Sequence, residues 1–233
     1  MIRVTVLVPA YNEESTILEI LSRVRAQQVV GVAFEVVVVN DASRDGTLEK
    51  LKSRPDLYDT LISHDKNAGK GAAVKSGLKA ATGDFILFQD ADLEYDPSEY
   101  DALLLPVLRF NADVVMGSRL LAPKFTRVHY LWHKIGNRLI TGAFNVIFNK
   151  TFTDIYSCYL MFRRELIAPD ELRTMGWEQQ AEILSLAVTR SRTHYEVPVS
   201  YHGRTYEEGK KIRGRHALSV LWTIVRTRFR QAA

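Results

Sequence analysis

The chain has 233 residues, of which 46% are hydrophobic and 25% are charged, as in ordinary globular domains. Its single cysteine excludes an internal disulfide framework and fits a reducing compartment. No uncharged apolar run approaches the length of about 18 residues that a membrane-spanning helix needs. The net charge of +4 is uneven, because residues 204–233 hold eight Lys or Arg against two Glu. That concentration is typical of a segment that meets an anionic partner.

Apolar runs and helical patterns alternate along the first half of the chain. We predict these elements there: strand 3–10, helix 15–28, strand 34–40, helix 47–52, strand 61–63, helix 71–81, strand 85–89, helix 98–110 and strand 113–116. The second half predicts helices 131–148, 178–190 and 217–230 and a strand in 194–203. The alternation indicates an α/β fold with a mostly parallel sheet and helices on both faces. We expect a single domain.

Polar motifs directly follow five of the predicted strands. In chain order they are "PAYNEE", "NDASRDGT", "HDKNAGKG", "QDADLE" and "GSR". Open parallel sheets bind their ligands at the carboxyl ends of the strands. We therefore expect the five motifs to contribute to one ligand-binding site.

The fourth motif stands out, because an apolar strand leads into acids at alternate positions: Asp90, Asp92, Glu94 and Asp96. Carboxylates this close repel one another unless a cation neutralises them. Oxygen ligands at the end of a rigid strand suit Mg²⁺ or Mn²⁺, which bind through one or two carboxylates and substrate phosphates. Asp90 and Asp92 share one face of an extended segment and are the leading candidates for ligands. The alternative is a solvated acidic turn in which Asp96 caps a helix at Pro97.

The predicted C-terminal helix is amphipathic and basic. One side carries Leu218, Leu221, Trp222 and Val225, and arginines cluster near the end. Basic amphipathic helices with Trp often lie in a membrane interface, so we expect contact with a membrane surface without a span. The alternative is a helix that packs only on its own domain.

Several segments, in order, resemble one enzyme family. They are "VLVPAYNEE", "VVVNDASRDGT", "NAGKGAAVKSGLKAATGDFILFQDADLEYDPSEY" and "ADVVMGSR", and they are similar to inverting glycosyltransferases of family 2 with the GT-A fold, a Rossmann-like architecture. The later segments "HKIGNRLITGAFNVIFN", "TDIYSCYLMFRREL" and "EVPVSYHGRTYEEGKKI" resemble the polyprenyl-phosphate branch of that family, the dolichyl-phosphate mannose and glucose synthases. The resemblance extends over nearly the whole chain.

The resemblance implies roles for the donor-binding residues. Pro9, Tyr11 and Glu13 would line the nucleotide site, with Asp41 near the base and ribose and Lys70 close to the nucleotide.

It also implies a metal and phosphate site. Asp90 and Asp92 would hold Mg²⁺ or Mn²⁺ on the donor diphosphate, and Glu94 would complete the ligand set, although relatives often have Gln there. Arg119 would meet the acceptor phosphate, and Arg204 with Lys210 would close over the phosphates. We take Asp92, Arg119 and Arg204 as the catalytic set.

The implied activity is metal-dependent transfer of a hexose, preferably mannose, from a nucleotide-sugar to a polyprenyl (dolichyl) phosphate. The donor would be GDP-mannose or UDP-glucose, and no nucleic acid would take part. Residues 1–120 would form the nucleotide-sugar half, 121–215 the acceptor half and 216–233 the amphipathic helix. The protein would be cytoplasmic and peripheral on the cytoplasmic membrane face, with a membrane partner subunit as a further candidate partner.

The chain departs from the family pattern in two places. Relatives often read like "GFEFEPEI" where this chain reads "GWEQQAEI", so Gln180 replaces an acid, and relatives carry a Lys near Leu160 that is missing here. These changes bear on the acceptor. An alternative is a family 2 transferase acting on a sugar hydroxyl, which would need Glu178 or Glu182 as general base. A second alternative is a catalytically silent, nucleotide-sugar-binding membrane scaffold, and a sugar-phosphate nucleotidyltransferase ranks third.

Overall fold

The computed structural model describes residues 1–122, 125, 127, 131–204 and 216–230. In this part of the chain one sheet contains seven strands: β1 (Ile2–Ala10), β2 (Val32–Asn40), β3 (Thr60–Ser63), β4 (Phe85–Phe88), β5 (Val114–Ser118), β6 (Leu160–Arg163) and β7 (His194–Pro198). The α-helices described are α1 (Ile17–Arg25), α2 (Thr47–Ser53), α3 (Lys70–Ala80), α4 (Tyr100–Phe110), α5 (Leu131–Phe148), α6 (Gln179–Arg190) and α7 (His216–Arg230).

The strands lie in the order β3-β2-β1-β4-β6-β5-β7. All described pairings are parallel except those of β6, which runs antiparallel to both β4 and β5. The expected α/β fold with a mostly parallel sheet is confirmed. Strand β6 was not predicted, because it has only three apolar residues before Arg163 and lacks the two-residue alternation that marks a half-buried strand.

Element boundaries differ from the sequence predictions by a few residues. Helix α1 covers only Ile17–Arg25 of the predicted 15–28. The predicted helix 98–110 begins as a 3₁₀ turn, Pro97–Glu99, before α4. The Asp96 carboxylate accepts a hydrogen bond from the Ser98 N–H at 2.9 Å, so Asp96 does cap this turn. The last strand ends at Pro198, within the predicted range 194–203.

Three parallel neighbours bring the predicted motifs to one edge of the sheet. Ala10 at the end of β1 is level with Asn40 at the end of β2, and Phe88 at the end of β4 is level with Leu7. All four residues of β4 are buried. Burial on both faces fixes β4 rigidly, so the acids that follow Phe88 project from a firm base.

Helix α7 packs on its own domain and exposes part of the apolar side named in the sequence analysis. Val220 and Ile224 are fully buried, whereas Leu218 and Trp222 are 76% and 65% exposed. The helix therefore packs on its own domain and still presents an apolar side to solvent. Within the described residues, no helix combines the length and apolarity needed to cross a membrane.

Asp113 directly precedes β5, at the amino end of that strand and on the opposite edge of the sheet from the motifs. Its carboxylate connects three segments of the chain. One carboxylate oxygen accepts a hydrogen bond from Arg163 Nε at 2.7 Å, and the other accepts from the Thr193 hydroxyl at 2.8 Å. The N–H groups of Arg192 and Thr193 donate to the same second oxygen at 3.1 Å. Burial alone would raise the pKa of Asp113, but these donors outweigh it and hold the pKa well below its usual range.

We predict that Asp113→Asn lowers the free energy of unfolding by about 2 kcal/mol at pH 7, because the amide cannot accept on both sides. A carboxyl group with a lowered pKa contributes stability above its unfolded pKa of about 3.9 and loses it as the pH falls further. The difference between parent and variant should therefore shrink below about pH 4. Urea unfolding at pH 7 and at lower pH measures both effects. Asp65→Asn, at an exposed position, is the control, and a pH-independent difference for Asp113→Asn would contradict the assignment.

Candidate active site

A cavity of about 360 Å³ lies at the carboxyl ends of β1, β2 and β4. This is where an open α/β sheet binds its ligand. Nine of the eleven predicted site residues line it: Pro9, Tyr11, Glu13, Asp41, Lys70, Asp90, Asp92, Glu94 and Arg204. Arg119 is not among the lining residues, and Lys210 lies outside the described residues. The first, second and fourth strand-end motifs therefore meet here, together with the third motif, which follows β3.

Cations and carboxylates are interleaved on the cavity floor. Lys70 Nζ donates to Asp90, and Arg204 Nη2 donates to Asp92 Oδ2 at 2.6 Å. The same Arg204 nitrogen reaches Glu13 Oε1 at 3.2 Å. With Glu94, the described part of the cluster has four carboxylates and two side-chain cations, Lys70 and Arg204.

Burial and the neighbouring carboxylates of this cluster shift the pKa of Asp92. Burial, followed by the nearby charges of Asp90 and Glu94, raises this pKa to about 7 against the opposing effect of Arg204. Burial lowers the pKa of Arg204, but the charge of Asp92 and the hydrogen bonds to Asp92 and Glu13 outweigh it, so the net shift is upward. The carboxylates therefore repel one another strongly, and further positive charge in the cavity would be stabilising.

The donor set fits a divalent cation that shares its coordination with phosphate. Asp90 and Asp92 supply hard oxygen ligands at a strand end, and the repulsion between these carboxylates favours a divalent cation such as Mg²⁺ or Mn²⁺. Among the described residues, no three acidic, imidazole or thiol groups are placed to form a complete metal site. Such an ion would therefore need ligands from a substrate, as Mg²⁺ sites on phosphate substrates commonly do.

Glu94 holds the chain that carries Arg204. Its two oxygens accept hydrogen bonds from the Arg204 N–H at 2.7 Å and from the Tyr201 hydroxyl at 2.9 Å. This carboxylate is thus engaged by the segment after β7, and its role as a metal ligand stays a prediction.

Asp41 organises the loop that leads into α3. Its carboxylate accepts from the N–H groups of Ala68 at 3.0 Å and Gly69 at 2.8 Å. His64 Nδ1 lies 2.7 Å from the same carboxylate, and His64 Nε2 lies 2.8 Å from Ser76 Oγ on α3. The sequence analysis missed His64, although it begins the motif "HDKNAGKG" that supplied Lys70.

Arg119 lies beside the cavity rather than in it. Its guanidinium donates two hydrogen bonds to Asp154, at 2.7 and 2.9 Å, and the Asp154 side chain is fully buried. The guanidinium carbon also lies 5.0 Å from the ring centre of Tyr201, which lines the cavity. One aromatic ring therefore separates Arg119 from the cluster. The contact of Arg119 with the acceptor phosphate stays a prediction. Its pairing with Asp154 was not predicted from the sequence.

A second missed feature is the segment 173–177, here called the cavity wall, of which Gly176 and Trp177 line the cavity. The Gly71 N–H donates to the Met175 carbonyl at 2.8 Å, and Lys70 Nζ lies 5.5 Å from the ring centre of Trp177. Gly69 adopts φ +93°, which favours glycine, and a Cβ on Gly71 would come within 2.6 Å of the Thr174 carbonyl oxygen. The glycines of "AGKG" thus allow this wall to lie against the start of α3.

The two carboxylates named as alternative bases lie outside the cavity lining, with Glu178 next to the lining residue Gly176. Glu178 and Glu182 are not among the residues that line the cavity. Glu182 is 2% exposed and accepts hydrogen bonds from the N–H groups of Arg173 and Thr174. Gln180, at the position where relatives have an acid, donates its amide to the Ser157 carbonyl. Cys158 is buried, and burial raises the pKa of its thiol, as expected for a small structural residue.

Two known proteins are similar to this chain in sequence. The chain is 28% identical over 211 residues to dolichol-phosphate mannosyltransferase of Pyrococcus furiosus, covering 89% of this chain and 59% of that protein. It is 30% identical over 212 residues to undecaprenyl-phosphate 4-deoxy-4-formamido-L-arabinose transferase of Pseudomonas paraeruginosa, covering 89% and 60%. The chain thus spans about three fifths of the length of these curated relatives.

The fold is similar to that of solved structures of glucosyl-3-phosphoglycerate synthase from Mycobacterium tuberculosis. The complex with Mn²⁺, UDP and phosphoglyceric acid gives a TM-score of 0.70 at 20% identity, covering 97% of this chain and 78% of that one. This similarity supports the GT-A, Rossmann-like architecture that the motifs predicted.

The family model described as "Glycosyl transferase family 2" matches residues 5–168. That span contains β2 to β6 and most of β1, the Lys70–Asp90 pair at the end of β4, and the Arg119–Asp154 pair, whereas Arg204 lies beyond it. The match extends over well more than half of the sequence, and it includes each strand-end motif from which the site is built. The chain therefore belongs to glycosyl transferase family 2.

Proposed function

We propose that this chain transfers a hexose, preferably mannose, from a nucleotide-sugar to a polyprenyl phosphate. Two relatives of similar sequence carry names of this kind, a dolichol-phosphate mannosyltransferase and an undecaprenyl-phosphate sugar transferase. Because the chain covers only part of their length, substrate and acceptor are inferences for this protein. GDP-mannose and UDP-glucose are the candidate donors.

The observation that carries the proposal is the paired cluster at the end of β4. Asp90 and Asp92 would hold Mg²⁺ or Mn²⁺ together with the donor diphosphate, with Glu94 as the predicted third ligand. Solved structures of the similar synthase include one with Mn²⁺ and UDP and another with Mg²⁺ and UDP. When bound, the ion would neutralise charge on the leaving diphosphate, a Lewis-acid effect of several kcal/mol.

The cations of the cluster are suited to phosphate recognition. Lys70 and Arg204 each pair with a carboxylate that would turn to the metal, so both become available for phosphate oxygens. Charge-assisted hydrogen bonds from such groups position a phosphate firmly. Tyr11 and Asp41, on the same cavity, would contact the nucleoside, and Arg119 would approach the acceptor phosphate from behind Tyr201.

A phosphate acceptor suits this site better than a sugar hydroxyl. A phosphate monoester is already anionic near neutral pH, so its oxygen attacks the anomeric carbon without a strong general base. The bond from that carbon to the diphosphate oxygen breaks, the nucleoside diphosphate leaves, and the configuration inverts. Glu182, one of the two candidate bases for a hydroxyl acceptor, is buried and bonded to the cavity wall.

Two helices offer a surface for a membrane that carries the acceptor. Helices α5 and α7 pack against each other and expose large apolar side chains: Leu131, Trp132, Leu139 and Val146 on α5, and Leu218, Trp222 and Phe229 on α7. Arg226 and Arg228 are exposed on α7. Apolar side chains with flanking arginines are typical of helices that lie in an anionic membrane interface. We place the protein peripherally on the cytoplasmic membrane face, and a membrane partner subunit is an alternative occupant of this surface.

We predict that Asp92→Asn lowers kcat/KM for the donor by roughly 100-fold or more, because the diphosphate loses its metal-binding partner. Calorimetric titration with GDP-mannose and with UDP-glucose, in Mn²⁺ and in EDTA, should show metal-dependent binding of one donor that the variant loses. Transfer to a short-chain polyprenyl phosphate is then measured with that donor.

Asp96→Asn is the matched control, since it makes the same change four residues along, at the cap of the 3₁₀ turn. Its donor affinity should equal that of the parent. Donor binding without transfer would favour the silent scaffold, and transfer only to a sugar hydroxyl would favour the other family 2 reaction. Binding of neither donor by folded protein in Mn²⁺ would contradict the proposed function.

We predict that changing Trp132 and Trp222 to Ala weakens association with anionic vesicles by about tenfold or more, since each indole loses roughly 1.5–3 kcal/mol of burial. Co-sedimentation with vesicles of phosphatidylcholine and phosphatidylserine measures the effect. Phe110→Ala removes another exposed aromatic ring, 56% exposed on α4, and should leave association unchanged. Equal losses for the control, or no vesicle association by the parent, would count against a membrane surface on α5 and α7.

A further inference from the structure

The cavity wall at residues 173–177 has its own support. On one side it contacts α3, where the Met175 carbonyl accepts the Gly71 N–H. On the other side it leads to Trp177, which faces the ammonium group of Lys70. Lys70 in turn pairs with Asp90, so the wall lies one contact away from the predicted metal ligands. A shift of this segment would move both the aromatic ring and the lysine.

The support comes from Glu182, on the first turns of α6. One of its oxygens accepts from the Thr174 N–H at 2.9 Å and from the Thr174 hydroxyl at 2.7 Å. The Arg173 N–H lies 3.1 Å from both oxygens. Burying a carboxylate is costly unless donors of this kind satisfy it. Here the donors are in the wall itself, so the charge holds those residues in place.

Helix α7 reaches the same carboxylate. Arg230 Nη1 lies 3.5 Å from Glu182 Oε1, and Arg230 Nη2 donates to the Glu171 carbonyl at 3.1 Å. Arg230 thus balances part of the buried charge from the far end of the chain. The carboxylate is enclosed between the wall and an arginine, which leaves it no route to act as a base on a substrate in the cavity.

We infer that Glu182 is a positioning residue for the donor site: it fixes the wall at Thr174 and thereby holds Trp177 and Lys70 in the cavity. The hydrogen bonds from Arg173 and Thr174 to Glu182 support its role in holding the wall. The effect of the wall on donor binding rests on the proposed function. A Gln at this position keeps the shape but presents an NH₂ group to donors that need an acceptor. The wall should then loosen without loss of the fold.

The test follows Trp177 directly. The chain has three tryptophans, so Trp132→Phe with Trp222→Phe leaves Trp177 as the single emitter. In this background Glu182→Gln should raise the acrylamide quenching constant of Trp177 about twofold, because a loosened wall opens more often to solvent. With the donor identified above, KM should rise about tenfold while kcat changes less, as expected for lost binding geometry.

Thr174→Val removes one donor to the same carboxylate and should change both readouts in the same direction by a smaller factor. Thr174→Ser keeps the hydroxyl and should restore them, which a general loss of stability would not do. Glu165→Gln, at an exposed position, makes the same chemical change as control. If Glu182→Gln does not fold, the two Thr174 variants alone test whether Glu182 holds the cavity wall.

Folded Glu182→Gln with parent-like quenching of Trp177 would overturn the inference. Increased quenching with an unchanged KM would equally overturn the role in donor binding. If the parent transfers no sugar at all, the proposed function fails, and the quenching series still decides whether Glu182 holds the wall.

Discussion

Repulsion among carboxylates at the end of β4 is the constraint around which the rest of the site is built. Asp90 and Asp92 leave a fully buried strand and cannot move apart, so their charges must be met by cations brought to them. Lys70 arrives from the start of α3, and Arg204 arrives from a segment 112 residues beyond Asp92. The site therefore exists only when both halves of the sheet are assembled, because neither half carries all of its charges.

The sequence is informative where the chemistry follows from local pattern and sheet topology. Apolar runs marked β1, β2 and β4, and parallel strands must place the residues that follow them at one edge. That rule accounts for eight of the nine predicted residues that line the cavity, whereas Arg204 was named only from the family resemblance. Asp96 was likewise predictable, since a cap depends only on residues within the same turn.

What the sequence could not indicate depends on partners far along the chain. Strand β6 has only three apolar residues before Arg163, and it becomes a strand because β4 and β5 offer edges on either side. The pairing of Arg119 with Asp154, and of His64 with Asp41, has no signature in residue spacing. The same limit explains Glu182: from its position in a family-like segment it could serve as a base, and only its contacts show that it holds the wall.

Helix α6 explains how these distant pieces act on one site. Residues 179–188 are all buried, polar ones included, so the helix is enclosed by the domain on every side. Burying a polar side chain without partners is costly, and Gln180 and Glu182 find theirs in backbone groups of Ser157 and of the cavity wall. The first turns of α6 thus fix backbone around the donor cavity, while its apolar residues join the core. Polar groups buried in this way define one arrangement of the surrounding loops, since any other would leave them unsatisfied.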